Sequence, residues 1–254
     1  MDLMVAGLDA GIIALTLAIA MLAAWGIGTW MGHRLRSKSG KTPSKFDDAS
    51  MALMGLLLAF AFGMSINKHD QRRMAVVADS NAIGDFYTCA TLLKEPTRTK
   101  LQGVIREYAE LRLGLSRRQV DYAELENALP RMQQAHQQMT ELVAQALSDG
   151  TPIAVSLTNT LNELTSNHAA RLAAVRDRLP ASVVMLLVVA PIITSMLIGR
   201  EQGIAGNSEV AGMLCFILLV SLAIYVTLDL NQPGRGLIRV SQEPIERLIS
   251  SMPK

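Results

Sequence analysis

The chain has 254 residues, half of them hydrophobic and 18% charged, with a net charge of +2. Its mean hydropathy of +0.27 makes the bilayer part of its solvent. So small a net charge, with no basic patch interleaved with aromatics, argues against nucleic acid as a partner.

The first apolar run, Ala10 to Met31, carries Trp25 and Trp30 near its end, where indoles favour the membrane interface. It lacks a basic leading segment and is too long for the core of a cleavable signal, so no signal peptide is expected. A basic loop follows, Gly32 to Asp48, with Arg34, Arg36, Lys38, Lys41 and Lys45. The second apolar run, Ala49 to Asn67, then passes into a polar stretch that reaches Lys94 with no proline before Pro96. From Asp47 to Lys94 this reads as one helix. At about 1.5 Å per residue it is roughly 70 Å long, more than twice the bilayer core of about 30 Å, so it must project beyond the membrane as a stalk.

A polar insert runs from Lys68 to Leu179, with apolar stripes at helical spacing. Leu101, Val104, Ile105, Tyr108, Leu111 and Leu115 make the first, and Met132, Met139, Leu142, Val143 and Leu147 a second that Gly150 stops. Thr151-Pro152 is expected to cap a third helix, with Leu157, Leu161, Leu164, His168, Leu172 and Val175 on one face, leading to Pro180 as a second stalk. The third span is Ala181 to Gly199 and the fourth Val210 to Leu228; each of the four runs has 19 to 22 uncharged residues, which is spanning length. The fold class expected is all-α: a four-span helical membrane protein with long stalk helices and a helical extramembrane domain inserted between spans 2 and 3. The expected units are residues 1–67 and 180–228 as transmembrane hairpins, 68–179 as the helical domain, and 229–254 as a turn and short tail. Ile245, Leu248, Ile249 and Met252 share one side of that tail. Cys89 and Cys215 lie in unlike settings, polar and apolar, which argues against a disulfide.

Three groups of residues resemble a bestrophin-like family of bacterial membrane proteins: GLLLAFAF (Gly55 to Phe62) with Arg72-Arg73 and ADSNAIGDFYTCATLL (Ala78 to Leu93); RLAAVRDRLP before the third span; and LDLNQPGRGLIRVSQEPIERL (Leu228 to Leu248). More distantly the chain is similar to bestrophin anion channels, which share four spans, a helical insert after the second, and a proline-glycine turn after the fourth. That resemblance implies a homo-oligomer, a pentamer, with a pore for small anions such as chloride lined by the second span. Phe60 and Gly63 can be laid on the aromatic-rich neck motif of the bestrophin second span, while Met64 departs from it but stays apolar. The acidic calcium clasp of animal bestrophins has no counterpart, because Asp229 stands without an acidic run, so calcium gating is not carried over.

Gly55, Ala59 and Gly63 share one face of the second span, and small residues at this spacing permit close helix packing in lipid. Packing within one subunit is the plain account of them; the alternative is that this face, or the neighbouring Leu56-Phe60-Met64 face, lines a pore. An apolar ring there can gate by dewetting. Lys68, Arg72 and Arg73 at the end of the span are either interfacial anchors or a basic ring at a pore mouth. Pro191 is expected to kink the third span. His33, His69, His136 and His168 are dispersed and form no metal-ligand spacing, and no phosphate-binding, dinucleotide or nucleophile-elbow motif occurs. Asp79 and Asp85 do not share a helix face. Neither a cofactor nor catalysis is expected.

Two function classes remain: an oligomeric anion channel, and a non-conducting membrane scaffold or regulator whose helical domain docks a protein. The spans carry no charge, which suits both and argues against a proton-coupled transporter. In a bacterial inner (plasma) membrane the charge rule, with five Lys/Arg in the first loop and one in the second, places the helical domain outside, in the periplasm. The bestrophin resemblance implies the opposite side.

Overall fold

The computed structural model describes residues 9–36, 45–117, 122–206, 209–232 and 236–253. Lys38 and Lys41 of the basic loop, and Pro233, Gly234 and Arg235 of the last turn, lie outside the described residues. Among the described residues there is no strand, and eight helices follow one another: α1 (Ala10–Leu35), α2 (Lys45–Thr91), α3 (Thr97–Arg117), α4 (Tyr122–Ser148), α5 (Ala154–Arg176), α6 (Ala181–Ala205), α7 (Val210–Asn231) and α8 (Glu243–Ser251). Four of them, α1, α2, α6 and α7, contain stretches long and apolar enough to cross a membrane. The all-α, four-span architecture is the one the apolar runs and helical stripes predict.

Each apolar run is the middle of a longer helix, because the backbone ladder continues through polar residues until something stops it. α2 has 47 residues and ends at Thr91, three short of Lys94. Its ladder tightens there, as the amides of Leu92 and Leu93 turn back to Cys89 and Ala90, ahead of Pro96. Gly150 ends α4 with a positive φ of 72°. Two boundaries differ from expectation. Thr151 does not cap α5: the N-cap is Ile153, with no side-chain hydrogen bond. The chain between α5 and α6 is non-helical over 177–180, not only at Pro180. Asp177 is extended, and Leu179, restricted by the proline that follows, gives its amide to Asn231 Oδ1 at 2.8 Å. α6 itself runs on through Pro191, which is buried.

The chain divides into two compact units. The first comprises residues 1–68, 178–232 and 236–238. In it α1 packs along α6 and against α7, around Leu17, Met21, Met213, Ile217, Val220 and Ile224. α2 joins through one side only: Met54, Leu57 and Leu58 meet Leu187, Ala190, Pro191, Val220 and Ile224 across a small apolar gap. The α1–α6 crossing brings backbones into contact. A Cβ added at Gly28 or Gly32 would strike the carbonyls of Met196 and Arg200, and one at Gly199 or Gly203 those of Trp25 and Thr29. Two glycine pairs spaced four apart thus face each other, the close-approach arrangement of membrane helices. Near the end of α7, the buried Asp229 accepts the amides of Leu237 (3.1 Å) and Ile238 (2.9 Å) with its two carboxylate oxygens. Gly236, at φ 103°, sits so close to that carboxylate that no side chain fits.

The second unit comprises residues 69–177, 233–235 and 239–254. Its core is built by Ile83 and Phe86 of α2, Leu101, Ile105 and Tyr108 of α3, Met139 and Val143 of α4, and Leu157 and Leu164 of α5. The register of the α4 stripe differs slightly, with Ala146 buried and Leu147 40% exposed. The tail belongs to this core: Ile245 and Met252 are buried, Leu248 packs on Gly84, and Arg106 holds the carbonyls of Met252 and Pro253. Insert and tail can share one core only if the chain crosses the membrane an even number of times between them, which α6 and α7 do.

Candidate functional site

Among the described residues, one face of the second span is left uncovered. Gly55, Leu56, Ala59, Phe60, Gly63 and Met64 are all exposed, Phe60 to 64% and Leu56 to 53%, while Met54, Ala61 and Ser65 point into the chain. A Cβ added at Gly55 or Gly63 would meet nothing. Among the described residues nothing packs on Gly55 or Gly63, and the close glycine packing observed is between α1 and α6. The repeated four-residue spacing of Gly28 and Gly32, matched by Gly199 and Gly203, was the sequence signal for it. Past the apolar run, the part of α2 in the second unit also leaves large apolar groups in the open, Met74 at 65% and Val77 at 40%.

The three basic residues after the span part company. Lys68 is half-buried and Arg73 exposed. Arg72 is buried, and its guanidinium donates to the carbonyls of Ala174 (3.1 Å) and Asp177 (2.8 Å), the free end of α5. A cation there satisfies orphan carbonyls and the negative end of the helix dipole. These bonds give Arg72 a role inside the chain, capping α5.

A charged cluster not foreseen in the sequence lies inside the second unit. Asp79 of α2 is fully buried. Its Oδ2 accepts from Arg112 of α3 through Nη2 (2.7 Å) and Nε (3.2 Å), and from Arg171 of α5 through Nη1 (2.8 Å). Arg171 also donates to Gln242 of the tail at 2.9 Å. Asp79 Oδ1 has no partner among the described residues. Beside the cluster the Tyr108 hydroxyl lies 3.1 Å from His168 Nδ1. Burial holds His168 down at about 4, helped by Arg112, and pushes the Tyr108 phenol up to about 12. Both are thus neutral, so the phenol can donate to Nδ1 with the ring proton on Nε2. Burial also lowers Arg171, with Arg112 adding to it, though a guanidinium remains charged at any ordinary pH.

The signal for this cluster was present. On α3 the buried face is Leu101, Ile105, Tyr108, Arg112, and on α5 it is Leu157, Leu161, Leu164, Arg171, so an arginine follows each apolar stripe, one turn beyond Tyr108 and two turns beyond Leu164, where Leu111 and Leu172 were expected. Asp79 stands likewise between Val76 and Ile83. Charges on apolar faces of separate helices, one negative and two positive, can be buried only together.

These features define an integral membrane protein of the all-α class, with four apolar helices and an ion-paired helical domain that the C-terminal tail completes. Residues 14–245 match the family model described as a Bestrophin-like domain, and the chain belongs to that family. No curated protein and no solved structure matches it. Asp79, Arg171 and Gln242 come one each from the three groups of residues that carry the sequence resemblance, so those stretches meet at one buried point.

Proposed function

We propose that this protein is a homo-oligomeric channel for small anions such as chloride, its pore lined by the second span. The observation that carries the reading is the open face of α2: among the described residues no helix covers Leu56, Phe60 and Met64, or the small residues Gly55, Ala59 and Gly63 beside them. Lipid can cover such a face within the bilayer. It cannot cover Met74 and Val77, about 10–15 Å further along the helix than the apolar run. Burial against further copies of α2 accounts for both. A ring of Phe60 and Met64 would form an apolar constriction, and Lys68 and Arg73 would raise the local anion concentration near it. The resemblance to bestrophins supports a pentamer. The site is a bacterial inner membrane, and the loop charges favour a periplasmic helical domain. No enzymatic step enters this reading.

The test is purified oligomer in planar bilayers under asymmetric chloride. The expected result is an anion-selective reversal potential, a larger conductance or leak in Phe60→Ala, and weaker selectivity in Arg73→Glu that high salt mimics. Silence from well-folded oligomers, or a current indifferent to both substitutions, refutes it. The second reading, a non-conducting scaffold, is favoured by apolar groups exposed on the helical domain, Leu92 (65%), Leu147 (40%) and Val155 (76%). A monomer by light scattering, with these residues protected on binding a protein, is its signature.

A further inference from the structure

The outward face of α1 is apolar for most of its length, with Ile12, Leu15, Ile19, Leu22 and Ile27 all exposed. That is the face acyl chains cover. It stops at Trp30, 55% exposed, and one turn later the Arg34 guanidinium lies 3.9 Å from the centre of the Trp30 ring. Trp25 differs: its indole N–H donates to Gln202 Oε1 at 2.9 Å. Among the described residues the Trp30 N–H has no acceptor, and none of Arg34, Arg36 and Arg200 has a carboxylate partner.

These groups gather at one end of the α1–α6 pair. The backbones touch at Gly32 and Arg200, and the Arg36 guanidinium lies beside Gly206, where α6 ends. Stacking on the indole fixes the plane of the Arg34 guanidinium and leaves its edge donors free. An indole N–H and an oriented guanidinium, at the depth where the apolar face gives out, present donors to phosphate oxygens. The sequence adds Lys38, Lys41 and Lys45 just beyond, and five basic residues in such a loop suit an anionic surface.

We propose that the Trp30–Arg34 end of α1 binds the phosphate headgroup of an anionic phospholipid, with Arg36 and Arg200 adding charge around it. The lipid, rather than a free anion, is the source because the donors continue a lipid-facing stripe on the same helix. The site is independent of conduction and stands whether or not the protein forms a channel.

The chain has two tryptophans, so Trp25→Phe leaves Trp30 as the sole reporter and Trp30→Phe leaves Trp25. The full chain is placed in vesicles of phosphatidylglycerol and phosphatidylcholine, with bromine on the acyl chains of one lipid or the other, and helix content is checked by circular dichroism. Trp30 should report a local excess of phosphatidylglycerol of about fivefold for each arginine engaged. That excess should fall in Arg34→Gln, fall further with Arg36→Gln, and be kept only in part in Arg34→Lys, which retains the charge without the oriented edge donors. Trp25 should show none. Quenching that follows bromine content regardless of headgroup overturns the proposal, as does a preference unchanged in the doubly substituted chain. Loss of the preference on adding millimolar glycerol phosphate would make this a free-anion site and overturn the lipid assignment.

Discussion

Removing the Asp79 carboxylate is the sharpest test of how the helical domain is held. Its Oδ2 takes three donors from Arg112 and Arg171, which stand on two different helices. In Asp79→Ala both guanidiniums stay buried, 5% and 8% exposed, facing each other with that anion gone. Breaking a buried ion pair by deleting one partner costs about 3–5 kcal/mol, most of it the uncompensated charge. For a domain of about 130 residues this lowers Tm by about 10–20 °C. Asp79→Asn, which keeps one acceptor but no charge, should fall between. Thermal unfolding of the detergent-solubilised protein is the assay, with limited trypsinolysis to show that the helical domain is the part that opens. Replacing all three charges by leucine or methionine of similar bulk should recover much of the loss, since well-packed apolar groups often match a buried ionic cluster. A Tm for Asp79→Ala within about 2 °C of the unaltered protein would refute the reasoning, as would a triple replacement less stable than Asp79→Ala alone.

Gly32→Leu or Gly203→Leu should prevent α1 and α6 from closing and lower thermal stability sharply, because the added side chain meets backbone. Gly55→Ala and Gly63→Ala should leave the single chain unharmed or slightly more stable, as alanine favours helix by about 1 kcal/mol; a change in oligomer size on light scattering would show that copies pack on this face. Stability should be full above the ordinary histidine value of 6.5 and decline as pH falls from there toward about 4, because the fold favours neutral His168. His136, also lowered by burial, acts in the same direction, and a pH series of Tm on His168→Gln should flatten most of the slope. Arg72→Glu should destabilise the second unit by removing the α5 cap, a loss visible in trypsinolysis.

Element type and extent were legible because apolar spacing and the absence of proline over Ala49 to Lys94 report backbone ladders directly. What was not legible depended on partners distant in sequence. Arg72 reads as an interfacial cation until α5 is seen to end with free carbonyls beside it. Thr151 has cap chemistry, but the turn through Pro152 and Ile153 delays the first helical residue to Ala154. Leu111 and Leu172 fit the apolar spacing as well as Arg112 and Arg171 do, and only Asp79 on a third helix decides which register faces inward. The open face of α2 is the reverse case. Its glycines suggest a packed neighbour, and nothing in the linear chain says that none of the described helices lies against them.

The place of the tail in the second unit sets an order of events during synthesis. Met252 fills a core, with Leu248 and Ile249 packed on it, whose other walls are complete by Asp177, so about 75 further residues must be made before that core can close. At 5–20 residues per second this is a wait of about 4–15 s, during which α6 and α7 must enter the membrane. Until then Ile83, Phe86 and Ile105 lack their last covering layer. The newly made domain is therefore a client for chaperones on whichever face of the membrane it emerges, and its maturation reports that both later spans have been inserted.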